Sequence, residues 1–155
     1  MFNWILIYPG LIFITPLFND VFTWHGHEMV YGFTVAVLTG FLLTAVSTWT
    51  STLPIKKNSL ILLTIVWIMG RFVVTFPLLP QVISSIIDLT YLPLMIMIFS
   101  KPLLTAKNKR NYVIIAFLGQ LFACNVFVHL AHYGLVSSSW GYNALYSSIG
   151  VILLF

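Results

Sequence analysis

Charge is what this chain has least of. Three acidic residues (Asp20, Glu28 and Asp88) and seven Lys or Arg make up only 6% of 155 positions. A soluble domain carries about 25%, so an aqueous globular fold is excluded. The 60% hydrophobic content and mean hydropathy of +1.02 make lipid the natural solvent. Cysteine is almost absent as well. Cys124 alone permits neither an internal disulfide nor a cysteine-held iron–sulfur cluster, and it leaves the redox compartment unread. The net charge of +4 does not point to nucleic acid, because the cations are few and grouped. No Lys or Arg precedes the first apolar run and no A-x-A site follows it, so the N-terminus does not read as a cleaved signal peptide.

What is present is a series of apolar runs separated by polar joints. The runs cover residues 2–18, 28–50, 60–79, 81–100 and 112–133, and a sixth begins at 144. The first is broken by Pro9, Gly10 and Pro16 and is short against the ~20 residues a span requires. The last offers twelve residues, ~18 Å of helix, too little to cross. The expectation is an all-α polytopic transmembrane helix bundle with about five full spans and the start of a sixth. Residues 1–155 then form a single domain, read as the N-terminal part of a longer multi-span protein. Its partners are the lipid bilayer and either the remainder of its own chain or other membrane subunits.

Six of the seven cations lie in the 51–59 and 101–111 joints. Those joints share a side if every run spans, and the positive-inside rule makes that side cytoplasmic. The remaining joints then face outward, and all four histidines of the chain converge on that outer face. His25 and His27 sit at the start of the second run, His129 and His132 at the end of the fifth. The stretch Trp24-His25-Gly26-His27-Glu28-Met29 is the densest gathering of titratable and soft-donor side chains in the sequence. A titratable group at the edge of hydrocarbon marks a functional site by default. His25 is expected in the joint, with His27 and Glu28 opening the helix, where a carboxylate suits the positive end of the dipole.

Asn125, His129 and His132 are spaced i, i+4, i+7 and share one helical stripe. Imidazoles from two helices at one depth suit an axially ligated haem, and imidazole with a thioether or carboxylate suits copper. His25, His27 and His129 are the candidate ligands, with Glu28 and Met29 as further metal donors. Glu28, Asn125 and Tyr31 are candidates to orient the rings. His132, next to Tyr133, reads as a headgroup-level anchor, Met29 equally as a gap-filling side chain, and Cys124 as a small buried residue. Arg71 and Asp88 lie eight residues either side of an uncharged joint, ~12 Å down the arms of a hairpin. Pairing there relieves the cost of two charges in lipid. The alternative is that Arg71 meets a haem propionate or another anion. Gly32, Ala36, Gly40 and Thr44 form a small-residue stripe for close helix packing.

Trp24-His25-Gly26-His27-Glu28-Met29-Val30-Tyr31-Gly32-Phe33 resembles the WHxHEMxxGF stretch of the NnrS family of bacterial membrane proteins. Gly40-Phe41-Leu42-Leu43-Thr44-Ala45-Val46 and Trp49-Thr50 resemble its GFLLTAVxxWT continuation. Gly70-Arg71, Asp88, Lys109-Arg110-Asn111, and Asn125 with His129 follow in the family's order. Ser47-Thr48 stand where Pro-Asn is typical, and His132 has no counterpart. The resemblance implies a haem- and copper-containing protein of the bacterial inner (cytoplasmic) membrane, tied to nitric oxide response or denitrification. Two other readings stay open: a proton- or ion-coupled transporter module in which Glu28, Arg71, Asp88 and the histidines carry charge, and a membrane assembly subunit without its own metal site.

Overall fold

The computed structural model describes residues 17, 18, 20–52, 55–76, 78–106 and 111–154. Five helices account for nearly all of them. They are α1 (Val21–Thr50), α2 (Lys57–Thr75), α3 (Gln81–Thr105), α4 (Tyr112–His132) and α5 (Ser138–Leu153). The first four are long and apolar enough to cross a membrane. The expected count of five spans and the start of a sixth is therefore not matched: the described residues hold four such helices and a sixteen-residue fifth. The expected run at 2–18 lies, apart from Leu17 and Phe18, outside the described residues. The last run starts six residues earlier than expected, because Ser138–Asn143 are wound into α5.

Helix α1 also starts early, and the reason is local. Asp20 caps it, its carboxylate accepting from the N–H groups of Phe22 and Thr23 at 3.3 and 2.8 Å and from the Thr23 hydroxyl at 2.6 Å. His25, expected in a joint, is helical. His27 and Glu28 lie a turn and a half or more inside the helix, ~9 Å or more from its start. The carboxylate that suits the positive end of the dipole is Asp20. Partial burial pushes the Asp20 carboxyl up, but the three hydrogen bonds outweigh it and hold it below the ordinary carboxylate range. A lowered folded-state pKa means the cap stabilises above the unfolded value of 3.8 and is lost as pH falls through the folded value. Asp20→Ala should cost about 1 kcal/mol in detergent unfolding at neutral pH. Asp20→Asn, which keeps an acceptor, should cost less. The gap between wild type and Asp20→Ala should close only below about pH 4.

Midway along its outer half α1 widens. Residues Glu28–Thr34 are a π-helical segment, with Val35 N–H bonded to the Val30 carbonyl. The Gly32 carbonyl accepts the indole N–H of Trp67 on α2 at 2.9 Å. A Cβ on Gly32 would stand 3.0 Å from the Arg71 guanidinium and 3.1 Å from the Glu28 carboxylate, so glycine is what lets Arg71 pass across α1. Farther along the small-residue stripe there is room to spare: a Cβ on Gly40 would meet nothing within 4 Å among the described residues.

Helix α3 changes segment at Thr90. Pro93 explains the break: its ring opposes the carbonyl of Leu89 and it supplies no N–H. The seam falls two residues after Asp88. Helices α4 and α5 form the most intimate pair, and at their crossing a Cβ on Gly141 would come within 2.8 Å of the Ala131 Cβ. Leu42, Leu63, Met95, Phe99, Leu118 and Leu121 fill the interior. Ile61, Ile65, Ile68, Met69 and Phe72 make α2's outer face apolar and exposed, a surface suited to lipid rather than water.

The start of α1, the α2–α3 turn and the α4–α5 turn meet at one end of the bundle, where Leu17 N–H donates to the Val74 carbonyl at 2.9 Å. If that end faces outward, a cysteine placed at Leu135 should label from outside the cell and one at Lys57 only from the cytoplasm. The reverse pattern would invert the orientation read from the basic joints.

Candidate metal centre

Below that end lies a buried polar cluster built from four helices. His27 comes from α1, Arg71 from α2, Ser85 and Asp88 from α3, and Asn125 and His129 from α4. His27 is 0% exposed, and Asp88 and His129 are each 2% exposed. Spacing explains the placement: Ser85 and Asp88 are i, i+3 on α3, and Asn125 and His129 are i, i+4 on α4, so each helix offers two groups on one face.

Asp88 is the hub. Its Oδ1 accepts from the Arg71 guanidinium, which also reaches the Glu28 carboxylate with its other Nη. Its Oδ2 faces Asn125 Nδ2 at 3.2 Å, His129 Nε2 at 3.0 Å and His27 Nε2 at 3.3 Å. With the Asn125 amide N–H turned to Asp88, its Oδ1 faces His27 Nε2 at 3.0 Å, which makes that nitrogen the donor. His129 Nε2–H likewise donates to Asp88, leaving Nδ1 to accept from the Ser85 hydroxyl at 3.0 Å. Ser85 Oγ in turn accepts from the Tyr133 hydroxyl at 2.8 Å. The buried His27 Nδ1 makes no hydrogen bond among the described residues and stands 3.6 Å from Glu28 Oε1.

The two imidazole centroids are 5.6 Å apart, with the rings nearly perpendicular. One ligand atom from each of His27, Asp88 and His129 can be chosen so that all three lie within 4.8 Å of one another, a separation a metal ion can bridge. Phe18 covers the pair, its ring centroid 4.7 Å from that of His27 and 5.2 Å from that of His129.

Of the residues singled out in the sequence, His27, Glu28, Arg71 and His129 come together here, and Asn125 orients two of the cluster's members. Arg71 meets Asp88 as the hairpin spacing implied. His25 is half-buried on α1 and is not part of the ligand-distance group. Met29 lines a separate groove with Phe22, Tyr142 and Tyr146. Tyr31, offered as a ring-orienting partner, bonds Ser148 of α5 at 2.7 Å and stacks obliquely on His27. Sequence reasoning treated Asp88 as a counter-charge to Arg71 or a carrier of charge but not as a metal donor, and it passed over Ser85 and Phe18. The i, i+3 spacing of Ser85 and Asp88 was the available signal for Ser85.

The sequence model described as NnrS protein matches residues 1–155. No curated protein and no solved structure matches the chain.

Proposed function

The chain belongs to the NnrS family, and on that premise we propose that it is a membrane protein holding a copper-class metal ion between His27, Asp88 and His129, with a role in nitric oxide response or denitrification. The observation that carries the metal reading is the donor set itself: two imidazoles and one carboxylate, buried and within bridging distance. Such a set suits copper, iron or zinc.

The surroundings support it. A metal-bound imidazole needs an acceptor for its other N–H to fix its orientation. If both Nε2 atoms turned to the metal, His129 Nδ1–H would meet Ser85 Oγ, and His27 Nδ1–H would face Glu28, across the gap its unbonded nitrogen now leaves. Arg71 holds the second oxygen of Asp88 and balances its charge. A bound ion would supply a Lewis-acidic centre, redox-capable in the case of copper or iron. The chain's own part is to hold three donors, exclude water and orient each donor from behind.

The same cluster does not fit a haem with His27 and His129 as its two axial ligands. The macrocycle would have to lie between the rings, and Asp88 Oδ2 stands there, 3.0 Å from one Nε2 and 3.3 Å from the other. A haem would have to be held elsewhere, and His25 is the proposed ligand on the family resemblance alone.

The second reading, proton transfer, is favoured by the hydrogen-bonded series from Asp88 through His129 and Ser85 to Tyr133 at the end of α4. Dialysis of the purified full chain against Cu(II), followed by metal analysis and an absorbance spectrum, separates the two. Retained stoichiometric copper supports the metal centre. No retained copper and a featureless visible spectrum favour proton transfer.

A further inference from the structure

Above the cluster, where α1 starts, α4 ends and α5 starts, lies a cavity of about 210 Å³. We propose that this cavity is the vestibule through which a small uncharged ligand reaches the buried centre, and that Phe18 is the gate between them. The proposal rests on the metal reading of His27, Asp88 and His129.

Position comes first. Phe18 lines the cavity, is itself only 1% exposed, and packs its ring on His27 and His129. One aromatic side chain thus touches both the cavity and the two imidazoles. It precedes α1, and Leu17 N–H bonding to the Val74 carbonyl anchors the backbone beside it. A side-chain rotation there opens the floor while α1 stays wound.

The lining defines the ligand. About 210 Å³ admits a few water-sized molecules and excludes a macrocycle or a peptide. Asp20 lines the cavity and, among the described residues, no Lys or Arg does, so an anion is disfavoured. Thr23 and Ser138 share the wall. His132, whose ring centroid lies 5.4 Å from that of Phe18, also lines it, and its Nε2 is buried with no hydrogen-bond partner among the described residues. A buried polar atom left unpaired asks for an explanation, and a small polar visitor supplies one. His132 on this account is a vestibule residue and neither a ligand nor a surface anchor.

The test uses the full chain loaded with Cu(I) and carbon monoxide as the probe, its stretching band followed by infrared after rapid mixing. Phe18→Ala should speed carbon monoxide binding about tenfold with copper content unchanged. Ser138→Trp, at the exposed rim, should slow it by a similar factor and carries the test if Phe18→Ala fails to fold. Equal rates in wild type and both variants, with copper retained, overturn the gate and leave the metal centre standing. Copper absent from wild type overturns both.

Discussion

Arg71→Ala should sharply reduce folded protein in the membrane, with a loss of about 3–5 kcal/mol where stability is measurable. The guanidinium bridges Glu28 and Asp88, and Asp88 is almost wholly buried. Removing the guanidinium leaves two neighbouring carboxylates, one of them fully buried, without the cation that bridges them, which costs far more than an exposed ion pair contributes. Lys in its place should recover only part of the loss, because a point charge cannot reach both carboxylates with separate, fixed nitrogens. Replacing Arg71 by Met and Asp88 by Asn together should cost less than the two singles summed, since each single leaves the other group stranded. Strict additivity in apo-protein unfolding would mean the pair does not act as a unit.

That pairing was legible because it depends on arithmetic along two helices: equal distances from an uncharged turn put two charges at one depth. The convergence of His27 and His129 was legible for the same reason. Other features were not, because they depend on tertiary contacts with no local signature. The π-helical segment Glu28–Thr34 shifts every later side chain of α1 relative to a regular helix, and it coincides with Trp67 bonding Gly32 and Arg71 crossing its bare Cα. Periodicity at 3.6 residues cannot anticipate that shift. The start of α1 at Val21 was encoded, by Asp20 and Thr23 as a cap, but the polar appearance of Trp24–Glu28 masked it. Asp88 was visible as a charge and hidden as a ligand, because nothing in the 81–100 run alone says that its second oxygen faces two imidazoles.

The family resemblance suggested haem and copper together. The three donors of the cluster lie close enough to share a single ion, and the Asp88 oxygen occupies the space a haem between His27 and His129 would require. The other proposed donors fall outside the group: His25 lies on α1 apart from it, and Met29 looks into the groove beside Tyr142 and Tyr146. Glu28 acts through Arg71 and through its proximity to His27 Nδ1.

Metal content of purified His27→Ala, His129→Ala and His132→Ala, set against wild type after identical copper loading, tests the central claim most directly. Each of the first two removes one of three donors from a site with no spare ligand in the ligand-distance group. Loss of one donor should weaken binding well beyond the roughly 10- to 100-fold that follows loss of a supporting partner. The account predicts near-empty His27→Ala and His129→Ala proteins, with His132→Ala loaded like wild type. Full copper and an unchanged spectrum in both His27→Ala and His129→Ala would contradict it.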